Sequence, residues 1–176
     1  VPFGPREGGG MLPHEETFSG PKQDRLALMK STAAQLSPIF ALHQDTANRA
    51  CSLLDSFVAA RTPDFIAVTD DSVTHQVWRI TAPEELSAYQ AALAGEDVLI
   101  ADGHHRYSTS INYLTELQAQ GPVPPSHPAR QCIVVLVSMQ DPGLEIWPTH
   151  RVLGGMKTYS LDAFKSASAD RLDFEP

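Results

Sequence analysis

Asp102-Gly103-His104-His105-Arg106 brings a carboxylate, a glycine, two imidazoles and a guanidinium together directly behind the apolar run Val98-Leu99-Ile100-Ala101. A strand that ends in Asp-Gly and passes straight into a helix exposes the helix's first N–H groups. Together with the helix dipole, these favour an anion. Gly103 lets a ligand approach the backbone closely, and Arg106 in the first turn adds a bidentate charged contact suited to phosphate oxygens. Asp102, at the strand's end, is placed to hold a metal ion such as Mg²⁺ or to take the proton of a substrate hydroxyl. His104 and His105 titrate near neutral pH and are candidate acid–base groups. Tyr107 is a candidate substrate contact. Each residue also has a plain reading, with Asp as a helix cap, Gly as a turn residue and the histidines as polar surface. It is the combination, behind an apolar strand, that points to a phosphate site.

Companion residues lie far off in sequence. His14 and Glu15 follow the glycine-rich stretch Gly8-Gly9-Gly10, where a base can reach a substrate; Glu15 is the preferred second carboxylate and His14 a substrate contact. A solvated loop acid is the alternative for Glu15. His150-Arg151 follows Pro148 and offers a second anion contact on a rim, or a structural pair with an acidic neighbour. His14, Asp102, His104, His105 and His150 all carry donors that suit divalent ions. No spacing among them is diagnostic, because adjacent histidines point apart on a helix, unlike a pair one turn apart. Lys22, Asp24 and Arg25 read as helix surface, with reaching the site as the alternative; His43, His75 and His127 carry no role, and Trp78 and Trp147 read as core.

The elements that must position these groups follow from pattern. Residues 1–20, with Pro2, Pro5, Pro13 and four glycines before Met11, read as a loop-rich entrance, and residues 21–176 as a single α/β domain. Leu26, Met29, Ala33 and Leu36 recur at helical spacing after Ser19-Gly20-Pro21, and Pro38 ends that helix. A second helix is expected over about 46–61. The segments 64–69 and 74–81 flank Asp70-Asp71-Ser72 as a hairpin without the preferred glycine. Ala82-Pro83-Glu84-Glu85 starts a helix that reaches Gly95. A short strand over 97–101 then leads into a helix over 104–120. Residues 131–139 read as a fully buried strand, with 144–147 as its antiparallel partner after the turn Asp141-Pro142-Gly143. A last helix covers 161–169.

Composition narrows the classes. A chain of 176 residues that is 42% hydrophobic can bury a core. Its 13 basic against 21 acidic side chains give a formal charge of -8, which leaves no broad positive surface for nucleic acid or anionic membrane. Cys51 and Cys132 are too few for a disulfide framework and fit a reducing compartment, hence the cytoplasm. No apolar run approaches the roughly 20 residues of a membrane helix. The start at Val1, without initiator Met or signal-like stretch, reads as a piece of a longer protein.

The blocks also carry a resemblance. Ile100-Ala101-Asp102-Gly103-His104-His105-Arg106-Tyr107, with Asn112-Tyr113 downstream, resembles the signature of a bacterial and archaeal family called domain of unknown function 1015. His14-Glu15-Glu16-Thr17 with Lys22-Gln23-Asp24-Arg25-Leu26 and Leu36-Ser37-Pro38-Ile39-Phe40 is similar to its upstream block. Leu144-Glu145-Ile146-Trp147-Pro148-Thr149-His150-Arg151 is similar to its downstream block. Members are considerably longer, in line with a fragment, and Glu16 stands where the family more often has a basic residue. More distantly, Gly103-His104-His105-Arg106 is similar to the Gly-x-x-Arg turn of the ParB and sulfiredoxin superfamily, which holds nucleotide phosphates. His104 stands where sulfiredoxins carry the catalytic cysteine, so sulfinic-acid reduction is not expected. The free-serine kinases of that superfamily imply phosphoryl transfer to a small hydroxylated metabolite such as an amino acid. They would use Asp102 and a further carboxylate, with ATP or ADP and Mg²⁺. The alternatives are a regulatory module that binds a nucleotide or phosphate without turnover, and a metal-assisted hydrolase. The expected partners are a nucleotide and a metabolite, with a homo-oligomer left open.

Overall fold

The computed structural model describes the chain except residues 1, 2, 5, 6, 8, 17, 18, 149–151, 153, 175 and 176, and the side chains of residues 19 and 21. Its contacts group into two units, Val1–Leu144 and Glu145–Pro176.

The first unit holds a mixed four-stranded sheet with helices around it. In chain order it contains β1 (Met11–Leu12), α1 (Ser19–Thr32), β2 (Ile39–His43), α2 (Arg49–Val58), β3 (Phe65–Val68), β4 (Thr74–Val77), α3 (Pro83–Ala92), β5 (Val98–Asp102), α4 (His104–Gln120) and β6 (Val134–Ser138). A 3₁₀ turn at Pro128–Arg130 lies between the last two. The sheet order is β1-β5-β2-β6. β1 runs parallel to β5, β5 antiparallel to β2, and β2 parallel to β6. The α/β expectation with a mixed sheet holds.

The central strand β2 was not foreseen. Ile-Phe-Ala-Leu-His after Pro38 is short and carries an alanine and a histidine, so it lacks the β-branched density that marks a strand. Its place between two partners compensates: Ile39, Ala41, Leu42 and His43 are all buried. A second correction concerns β6. The expected antiparallel partner at 144–147 does not form. β6 instead pairs in parallel with β2, from Ile39 opposite Val134 to His43 opposite Ser138. As an edge strand it is only partly covered, with Val134 and Val135 exposed. Trp147, expected in the core, is 78% exposed. Trp78 is half-buried, and its indole N–H donates to the Arg61 carbonyl.

The loop-rich entrance is fastened to β5 by its backbone. Gly9 sits at φ +96, and a Cβ there would come within 2.2 Å of the Glu96 carbonyl oxygen. Gly10 N–H donates to the Asp97 carboxylate at 2.8 Å, and Val98 N–H to the Gly10 carbonyl at 2.8 Å. The expected hairpin forms as β3 and β4, from Phe65 opposite Val77 to Val68 opposite Thr74. Ser72, at φ 66, takes the left-handed position that glycine usually fills, and the Asp71 carboxylate accepts from Thr69 Oγ1.

α2 begins three residues later than expected, behind Asn48 in a left-handed conformation, and its first amides are taken up by Asp45 from three residues before that cap position. That buried carboxylate accepts from the amides of Arg49 at 2.7 Å, Ala50 at 3.2 Å and Cys51 at 2.9 Å. Burial alone would raise its pKa, but the amide bonds outweigh it and hold the carboxyl below its ordinary value of 3.8. In the second unit, Ser160 Oγ caps α5 (Leu161–Ser168) by accepting from Ala163 N–H, and Phe164 meets Phe174 edge to face at 5.9 Å.

Asp45→Ala should lower unfolding stability in urea by about 1–2 kcal/mol, the cost of a lost helix cap. Because the folded pKa is depressed, Asp45's stabilisation is fully present above pH 3.8 and lost as pH falls through the lower folded value. The difference between wild type and Asp45→Asn, measured as a function of pH, should therefore shrink only in that acid range.

Candidate functional site

β5 ends at Asp102, opposite Phe40 of β2, and the chain turns into α4 through one residue. Gly103 sits at φ 100, ψ 25, a left-handed conformation that costs a residue with a Cβ. It has no side chain to cap the helix, and the first intrahelical bond is Tyr107 N–H to the Gly103 carbonyl at 2.9 Å. The turn from β5 into α4 through Gly103 lies where the sequence places it.

Arg106 folds back over this turn. A Cβ on Gly103 would lie 2.8 Å from Arg106 Nε and 2.9 Å from Nη2, so a side chain there would move the guanidinium aside. Gly103 is buried, and Arg106 is among what covers it. The guanidinium also donates to the Asp102 carboxylate, one helical turn away, with the Arg106 side chain 27% and the Asp102 side chain 75% exposed. An exposed pair of this kind is worth about 0.3–0.5 kcal/mol, so an anion of higher charge can displace the carboxylate.

His104 points the other way. It is buried, and its Nε2 accepts the His14 backbone N–H at 3.2 Å. A neutral imidazole with Nε2 accepting carries its proton on Nδ1, which lies 3.1 Å from Glu15 Oε1. That approach is off the direction of a hydrogen bond, and Nδ1 has no hydrogen-bond partner. Burial lowers the His104 pKa, helped by His14, while Glu15 and Asp102 pull the other way. The ring is thus neutral at pH 7. His14 Nδ1 donates to the Ile100 carbonyl at 2.7 Å, and the two rings meet edge to face at 4.5 Å. The expected meeting of the His14-Glu15 loop with the Gly103 turn is therefore present.

These groups line a cleft of ≈ 250 Å³, formed by Glu15, Arg25, Asp102, Gly103, His104, His105 and Arg106. Of Lys22, Asp24 and Arg25, the lining includes Arg25. It reads in the sequence as helix surface, yet α1 packs along α4 and carries it to the cleft as a second guanidinium. Nothing in its local pattern marks that role. Tyr107 is not among the residues lining this cleft. It is 5% exposed and packs in the core with Ile39 and Ile100, its ring 5.1 Å from Phe3. His150 and Arg151 lie outside the described residues.

A family model described as a protein of unknown function (DUF1015) matches residues 5–176. The chain belongs to the DUF1015 family. No curated protein and no solved structure matches it. Among the described residues, no helix is long and apolar enough to cross a membrane.

Gly103→Ala should cost about 1–2 kcal/mol from the left-handed backbone alone. It should also push the Arg106 guanidinium off the turn. Urea unfolding, together with chemical shifts of the Arg106 side-chain N–H groups, reads both effects.

Proposed function

We propose that the chain is a phosphotransferase that holds a nucleotide's phosphates at the start of α4 and passes a phosphoryl group to a small hydroxylated metabolite such as an amino acid. The observation that carries this reading is the Gly103 turn, with the Arg106 guanidinium over it and Arg25 on the same cleft. Amides at a helix start and two guanidiniums suit the charge spread over a transferring phosphoryl group. A cleft of ≈ 250 Å³ is smaller than a typical whole-ligand pocket of roughly 300 Å³ or more, so phosphates fit inside it and the base and sugar rest outside. The similarity of Gly103-His104-His105-Arg106 to the phosphate turn of the ParB and sulfiredoxin superfamily points the same way.

Asp102 and Glu15 are the two carboxylates on the cleft, with side chains 75% and 53% exposed. One takes the hydroxyl proton as the new O–P bond forms and the nucleotide leaves with the electron pair of the broken one. Carboxylate oxygens of this kind also suit Mg²⁺, whose role is to neutralise the phosphates of ATP or ADP. His105 remains a cleft-lining acid–base group, and His104 acts by positioning the Glu15 loop. A cytoplasmic setting fits the two free cysteines.

A second reading is favoured by one feature. Arg106 is already paired with Asp102, so a phosphate that takes the guanidinium releases a carboxylate, and such a switch can report binding without any turnover.

Calorimetric titration with ATP, ADP and CTP, beside a phosphate-transfer assay over a metabolite panel, tests both readings. Binding with transfer supports the enzyme, and binding without it the module; failure of every nucleotide and phosphorylated metabolite to bind removes both. Arg106→Ala should weaken phosphate binding by about 1.5–3 kcal/mol, the range for hydrogen bonds to charged groups. Asp102→Asn should tighten binding, because a competitor for Arg106 loses its charge, while slowing transfer if Asp102 is the base. Unchanged affinity in Arg106→Ala would remove its assigned role.

A further inference from the structure

Beside the cleft, three donors meet that the phosphate reading does not use as a set. One ring nitrogen of His14, one of His104 and one carboxylate oxygen of Glu15 lie within 4.8 Å of one another. The His104 side chain is 0% exposed, and its Nδ1, 3.1 Å from Glu15 Oε1, has no hydrogen-bond partner. Buried polar atoms are nearly always satisfied, so an orphan ring nitrogen beside a carboxylate but out of line with it is a mark of something that the site takes up. His14 is already oriented, because its Nδ1–H donates to the Ile100 carbonyl and Nε2 keeps the lone pair. A ring held by a backbone carbonyl in this way is the usual arrangement of a metal-ligating histidine.

We propose that His14, Glu15 and His104 form a binding site for a divalent first-row transition ion of the class of Zn²⁺, Co²⁺ or Mn²⁺. Two imidazole nitrogens and one carboxylate oxygen suit these ions, whereas Mg²⁺ prefers oxygen donors throughout. Three protein donors leave coordination positions open to water or to an anion's oxygen, and both Glu15 and His104 also line the cleft. Uptake has a structural consequence. The lone pair of His104 must lie on Nδ1, so the ring proton moves to Nε2 and the 3.2 Å bond from His14 N–H is given up. The backbone at His14 shifts as the ion enters. The site does not depend on phosphoryl transfer, and phosphate binding titrated in the presence of chelator reads the Arg106 turn separately.

The test is calorimetric titration of the chelator-stripped full chain with Zn²⁺, Co²⁺ and Mn²⁺, with Mg²⁺ as control. One transition ion per chain should bind. Glu15→Gln, a conservative change at a side chain 53% exposed, should weaken binding by about tenfold or more while the circular dichroism spectrum stays native. In the unmodified chain, Co²⁺ should give visible d–d bands without an intense thiolate charge-transfer band, and should shift the ring signals of His14 and His104 among the seven histidines. No binding by the unmodified chain, unchanged affinity in natively folded Glu15→Gln, a thiolate band from Cys51 or Cys132, or unshifted His14 and His104 signals would each overturn the site.

Discussion

A histidine ring taken out of water needs partners, and the demand made by His104 organises this end of the molecule. Its burial under the start of α4 draws the His14 amide to one ring nitrogen and the Glu15 carboxylate toward the other. The entrance segment, which has no long element of its own, is thereby held against β5 at the point where the strand becomes a helix. Gly9 and Gly10 fasten the same segment one step earlier, through backbone contacts with Glu96, Asp97 and Val98. Without that tether, Glu15 would be an unconstrained loop acid, and the cleft would lose a wall.

The second constraint is steric. Gly103 reverses the backbone in a single residue, which sends the His104 side chain inward and leaves Arg106 space to lie across the turn. One face of the junction is therefore neutral and buried while the other is charged and wet.

How much of this was legible in the sequence follows from how local each feature is. The β5 to α4 turn was visible because an apolar run, Asp-Gly and a charged helix start are contiguous. The β3–β4 hairpin was visible for the same reason, although Asp71 and Ser72 replace the usual glycine. β2 was missed because what makes Ile39–His43 a strand is two neighbours distant in sequence, not its own propensities. The pairing of β6 was misjudged because Leu144–Trp147 was the nearest candidate, while the real partner lies almost a hundred residues upstream. For Arg25 the sequence leaves helix surface and cleft both open for a related reason: whether a helix cation faces water or a cleft depends on which helix it packs beside. The capping role of Asp45 was hidden because its carboxylate reaches the first amides of α2 from three residues before the cap position at Asn48.

The Asp102 carboxylate, tethered one helical turn from the Arg106 guanidinium, acts as a resident competitor. Groups joined by a short stretch of chain meet at an effective concentration on the order of millimolar or above. Chloride, acetate and other singly charged anions at lower concentrations therefore do little to dislodge it. A multiply charged guest that also engages the helix amides or Arg25 has the additional contacts needed to prevail. The same internal pair thus favours visitors of higher valence, before any shape or base recognition begins.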